Sequence, residues 1–174
     1  MNTHCLVGIT DPENPHLVHA RFVVVDGHPS LVVPALADIW ARHAGCDTRA
    51  LAEAILACDW EYLDPTVTTT GSGLAQQHPV PGVGVPLPGT GAAEPVTVFP
   101  LCQAGHLDAD WIYLIEPVTG TVAVHSDDGQ PVARYRLDQC VSPSAGSTRA
   151  GRDLHTPAAD PASWALALVP GAAR

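Results

Sequence analysis

Read as a string of apolar and polar positions, the chain changes period twice. His4 to Ile9 is a short apolar run, Asp11-Pro12-Glu13-Asn14-Pro15 concentrates turn formers, and Leu17 to Val25 is a second, β-branched run. Together they predict an antiparallel hairpin. In its second strand Val18, Ala20, Phe22 and Val24 share one face, and Leu17, His19, Arg21, Val23 and Val25 share the other. The end of this strand is apolar on both faces, which places it centrally in a sheet.

Asp26-Gly27-His28-Pro29 then reads as a turn, with Asp-Gly supplying a residue tolerant of positive φ and Pro29 stiffening the exit. From Leu31 the period becomes helical. Ser30 is the expected cap, Pro34 falls in the first turn, and Val32, Leu36, Ile39, Trp40 and His43 share a face. Gly45 is the expected stop and Asp47 the N-cap of a second helix, whose buried stripe is Leu51, Ala54, Ile55 and Cys58. The stretch Asp59 to Pro65 reads as the tail of that helix, ended by the proline.

Residues 66–95 are rich in Thr, Gly and Pro and read as one long loop, either an insertion draped over the sheet or a functional element. The period then returns to two. Val96 to Leu101, Trp111 to Glu116, Thr121 to His125 and Val132 to Leu137 are expected strands; turns at Val118-Thr119-Gly120 and Asp127-Asp128-Gly129 make the last three a meander. The expected architecture is a single α+β domain over residues 1–141. Its antiparallel sheet has five or six strands, from the N-terminal hairpin and the C-terminal meander, and a helix pair covers one face. Residues 142–174 read as a poorly ordered tail, with 164–169 able to dock back as an edge strand or short helix.

Composition narrows the chemistry. All eight basic residues are arginine, which removes Schiff-base, phosphate-loop and kinase-type lysines and the enzymes that depend on them. The alanine-rich, lysine-free bias points to a GC-rich coding sequence, which concerns origin and not function. A net charge of −10 disfavours nucleic acid as a partner, and with only 15% of residues charged the acids are too scattered to mimic its phosphates. Five cysteines without close-spaced pairs, an amino-terminal stretch unlike a secretory signal and no apolar run long enough to span a bilayer predict a reduced cytoplasmic protein away from membranes.

Candidate reactive groups are dispersed. Asp26 and His28 lie at a strand-to-helix junction, where a helix N-terminus favours anions, although Asp and Gly also serve simply to make the turn. Asp59, Trp60 and Tyr62 form either a partner-binding patch or part of the core. Cys102, His106, Asp108 and Asp110 are the best metal candidates, but they do not supply four ligands at a recognisable spacing, so no metal or other cofactor is assigned. Gly71-Ser72-Gly73 lacks the spacing of a nucleophile elbow.

The run Phe22 to Pro29, followed by Leu36, Trp40 and Asp59-Trp60-Glu61-Tyr62-Leu63, resembles a group of small uncharacterised bacterial and phage proteins. Their signature is a strand, an Asp-Gly-aromatic-Pro turn and a helix pair ending in an aromatic or Leu-rich segment; His28 stands here in place of the commoner tyrosine. The resemblance covers about 45 residues, with a weaker echo over Trp111 to His125. It implies an α+β domain and carries over no catalytic residue. Two functions stand as expectations. One is a non-enzymatic cytoplasmic interaction or accessory protein with a protein partner, using Asp26, His28, Asp59, Trp60 and Tyr62. The other is a small hydrolase or ligand-binding enzyme built on Asp26, His28 and His106 or His125 around a cleft.

Overall fold

The N-terminal hairpin forms as its apolar runs dictate: β1 (Cys5–Thr10) pairs antiparallel with β2 (Leu17–Val23), Cys5 opposite Val23. The computed structural model describes residues 3–68, 79–88 and 95–143. Beyond β2 the chain enters α1 (Pro29–Arg42) and α2 (Thr48–Leu56), then β3 (Trp60–Leu63), β4 (Gly84–Pro86) and β5 (Thr97–Pro100). A 3-10 turn at Leu101–His106 leads into the expected meander of β6 (Trp111–Glu116), β7 (Thr121–Ser126) and β8 (Pro131–Arg136), and a short α3 (Leu137–Cys140) comes last.

The fold is α+β, but among the described residues the sheet is mixed and has eight strands rather than five or six antiparallel ones. Its order is β4-β3-β2-β1-β6-β7-β8, with β5 also paired to β2. Two pairings are parallel, β2 with β3 and β1 with β6. The helix pair is the crossover that a parallel β2–β3 pairing requires, so the Asp59 to Pro65 stretch is a strand and not a helix tail. The Val24 and Val25 N–H groups extend that pairing to the carbonyls of Trp60 (3.0 Å) and Glu61 (2.8 Å). β5 occupies the first half of the same edge of β2, from Leu17 to Ala20, which makes β2 central as its two-sided apolarity indicated.

Alternation along the strands sorts the core into two layers. Cys5, Val7, Val23, Tyr113, Ile115, Val122 and Val124 pack under the helices with Leu36, Ile39, Leu51, Ile55 and Trp60. Leu6, Val18, Ala20, Ile112, Leu114 and Ala123 face the other way, beneath Phe99, Ala104 and Ala109. The 3-10 turn and its exit thus cover the face opposite the helix pair. Gly8 is required where β1 crosses β2, since a Cβ there would overlap the His19 carbonyl oxygen and lie 2.6 Å from the Ala20 Cα.

Helix ends are set by local chemistry, not always by the residues expected. Asp47 caps α2, its carboxylate accepting from the Arg49 and Ala50 N–H groups. His28, not Ser30, caps α1: its Nδ1 accepts from the Ser30 N–H, and Pro29 takes the first helical position where no N–H is needed. Pro34 therefore lies in the second turn, and His43 is exposed at the C-cap rather than buried. Gly45 (φ 61°) and Cys46 (φ 65°) turn the chain out of α1 in the left-handed region.

Candidate functional site

Asp26 and His28 sit together in a turn whose geometry is explained by the fold. Asp26 itself takes the positive φ (61°), a conformation aspartate tolerates. Gly27 is needed for close approach instead, because a Cβ there would come within 2.7 Å of the Thr3 carbonyl oxygen. Its N–H donates to that oxygen (2.9 Å) and its carbonyl accepts from the buried Tyr113 hydroxyl (2.8 Å). The exposed His28 ring bonds Ser30 Oγ (2.9 Å) and meets Trp111 edge-on at 5.9 Å.

Asp26 lines a small cavity of about 140 Å³ with Val23, Val25, Leu31, Val32, Ala35 and Leu63, a lining that contains no imidazole. The other two histidines are placed elsewhere. His106 is exposed at the end of the 3-10 turn, and His125 on β7 is bonded to the Gly129 carbonyl (3.1 Å).

The Asp59, Trp60 and Tyr62 stretch divides between core and surface. Trp60 is fully buried with its indole N–H on the Ile55 carbonyl (2.8 Å), so it packs the core and offers no face to a partner. Asp59 accepts from the Phe22 N–H (2.9 Å) and lies 3.9 Å from the Arg21 guanidinium, which also bonds the Leu56 and Pro95 carbonyls. That arrangement fastens the start of β3 to β2. Tyr62 is half-buried opposite Val85 of β4.

The metal candidates do not gather. Among the described residues no group of three His, Cys, Asp or Glu side chains converges on one point. Asp110 accepts from the His4 N–H (3.0 Å), Asp108 lies 3.9 Å from the His4 ring, and Cys102 and His106 are exposed side chains of the 3-10 turn. Spacing alone suggested the cluster; the start of β1 takes Asp110 instead.

A larger site escaped the sequence reading. A groove of about 670 Å³ runs between the first two turns of α1 (Ser30, Leu31, Val33, Pro34) and the chain from Tyr135 to Pro143. Leu31, Val33, Pro34, Tyr135, Cys140 and Val141 make its walls predominantly apolar, and Leu31 stands 52% exposed at the rim. Its one charged lining residue among the described residues, Arg136, is paired by a forked bond to Asp138 (3.0 and 2.8 Å). That bond holds Asp138 below the ordinary carboxylate value and Arg136 above its own. Burial pushes the Cys140 thiol up, with Asp138 adding to the effect.

The signal was present in Leu31-Val32-Val33, three consecutive apolar residues at the start of a helix. A helix buries a stripe and not its whole girth, so one of the three must lie outside the core contact. Among the described residues no helix is long and apolar enough to cross a membrane. Comparisons with protein-family models, with curated proteins and with solved structures find no match to this chain.

Proposed function

We propose that the protein is a non-enzymatic cytoplasmic interaction module that holds an apolar segment of a partner protein in the groove between α1 and α3. The observation that carries this reading is the groove itself: about 670 Å³ of mainly apolar wall, with Leu31 exposed at the rim and its single charge already neutralised. Desolvating such a surface on binding is favourable, and the Arg136–Asp138 pair leaves no unpaired charge among the described lining residues to bury. Helix-in-groove and extended-segment recognition both use walls of this kind.

The test places a photo-reactive amino acid at Leu31 in the full chain, and at Val98, 50% exposed on β5, as a control. Irradiation in cells is expected to join one partner through an apolar peptide at position 31 and not at 98. The adduct should disappear with Pro34→Arg, a partly exposed lining position, and be reproduced with the purified partner. Equal labelling from both positions, or an adduct that survives Pro34→Arg, overturns the reading.

A further inference from the structure

We propose that in the chain on its own this groove is filled by the chain's own segment Trp164–Val169, which a partner segment must displace. The inference rests on reading the groove as a binding site and names what regulates it. The first support is where the chain leaves the described fold. Val141, Ser142 and Pro143 are themselves part of the groove wall. The Ser142 N–H is fastened to the buried carboxylate of Asp38 on α1 (2.9 Å), so the described chain ends at the rim of the groove.

The second support is the sequence beyond that rim. Residues 144–163 carry one large apolar side chain, Leu154, together with Arg149, Arg152, Asp153 and Asp160. Trp164-Ala165-Leu166-Ala167-Leu168-Val169 is then an uncharged apolar run ended by Pro170. Its three largest side chains alternate with alanine, and its apolar character matches walls made by Leu31, Val33, Pro34, Tyr135 and Val141.

The third support is tethering. Twenty intervening residues reach at most roughly 66 Å when fully extended, ample to return to a groove that begins where they start. A tether of this length presents its end at an effective concentration of order 1 mM, so an intrinsic dissociation constant of about 0.1 mM would keep the groove roughly 90% filled. An untethered partner must compete with that occupancy.

The groove carries its own reporter, Cys140. In the full chain with Cys46, Cys58 and Cys102 changed to Ser, Leu166→Cys is oxidised with copper–phenanthroline and the products mapped by mass spectrometry. A monomeric disulfide from Cys140 to position 166 is expected, forming at least tenfold faster than from Ala158→Cys. Position 158 lies nearer along the chain and should win if the tether alone decided the rate. Adding Leu168→Asp should remove the advantage.

Equal rates at 158 and 166 overturn the proposal. A concentration-dependent disulfide between chains overturns it in favour of a second copy. In case the cysteine variants lose their fold, the parent chain minus Trp164→Phe gives the emission of Trp164. That emission is expected to be blue-shifted and shielded from iodide, and to become exposed with Leu31→Glu; an emission already exposed in the parent overturns the proposal. Failure here and failure of the binding role are separable. Equal oxidation rates together with a partner still joined at Leu31 sink only the intramolecular occupant. A fast disulfide with no gain in partner labelling on Leu166→Asp/Leu168→Asp supports the occupant and sinks the binding role.

Discussion

Replacing Asp59 separates a structural carboxylate from one kept for binding. Its side chain is 14% exposed and does two things: it accepts the Phe22 N–H at 2.9 Å and lies 3.9 Å from an Arg21 guanidinium that is 5% exposed. Asp59→Ala leaves a half-buried backbone donor without its acceptor, a loss of about 1.5–3 kcal/mol for a bond to a charged group. The guanidinium contributes less than a tight buried pair, because 3.9 Å is a long contact and Arg21 also bonds the Leu56 and Pro95 carbonyls. Roughly 1 kcal/mol, the upper end for a loosely held ion pair, is its share. The sum, about 2.5–4 kcal/mol, is a large part of a typical folding free energy and should lower the melting temperature by roughly 10 °C.

Asp59→Asn keeps an acceptor oxygen facing Phe22 and loses only the charge, so it should cost about 1 kcal/mol. Urea unfolding of the three proteins, followed by far-UV circular dichroism, measures the differences through the midpoint at constant slope. A loss below about 1 kcal/mol for the alanine variant would refute the reasoning. An asparagine variant as damaged as the alanine one would move the energy from the backbone bond to the ion pair. A carboxylate retained for a ligand behaves in the opposite way, and its removal would leave stability unchanged or raise it.

Other consequences arise from the same structure. Gly8→Ala should cost about 3 kcal/mol or more because the new methyl meets the β2 backbone, whereas Gly45→Ala, with φ 61° and open space around it, should cost only about 1 kcal/mol; paired urea curves compare them. Asp11 is held below the ordinary carboxylate value of 3.8, chiefly by the Asn14 N–H and then by His19 and the Glu13 N–H. A depressed folded value means that its contribution is complete above about pH 4 and lost as the pH falls through that lower value. Asp11→Ala should therefore flatten the acid limb of stability below about pH 4, and carboxyl NMR that found Asp11 titrating at or above its ordinary value would contradict this. Under a thiol reagent the exposed Cys46 and Cys102 should react first. Cys58 and Cys140, half-buried and with thiols pushed up by burial, should lag. Cys5, fully buried and pushed up further by burial and by Asp110, should react only at the rate of unfolding; early labelling of Cys5 would place β1 wrongly.

Much of this architecture was readable from spacing, and the misreadings share a cause. The hairpin, both helices, the cap at Asp47 and the Trp111 to Arg136 meander rest on local signals, namely period, turn formers and cap residues. Parallel pairing is not local. Nothing between Asp59 and Leu63 states that this stretch will lie beside Val23, because the partner is set by where the helix pair crosses over. Trp60 was ambiguous for the same reason: an aromatic after a helix serves a surface as well as a core until the neighbouring strand is known. The metal candidates, to which no metal was assigned, show the converse, since proximity in sequence from Cys102 to Asp110 did not make the donors converge among the described residues. Residues 66–95 read as one long loop because their Thr, Gly and Pro content hides any period, yet residues 84–86 pair with β3 as a strand; 69–78 and 89–94, like the tail from 144, lie outside the described residues.

The helical layer places its polar groups unevenly, and that unevenness points to the α1–α3 edge. Burying a carboxylate is costly unless it is bonded, and Asp38 is buried on α1, where an apolar residue would have packed without that cost. Its partners are the Ser142 N–H at 2.9 Å and Arg42 one turn along at 3.7 Å. The bond to Ser142 holds the chain against α1 just beyond α3, where, among the described residues, no strand or helix continues to do so. A few residues away Pro34 cannot return an N–H to the Ser30 carbonyl, and Leu31 is left outside the core. Leu31 and Pro34 line the groove and the Asp38–Ser142 bond fixes its rim, so these departures from an ordinary buried stripe gather at the edge where α1 meets the chain beyond α3.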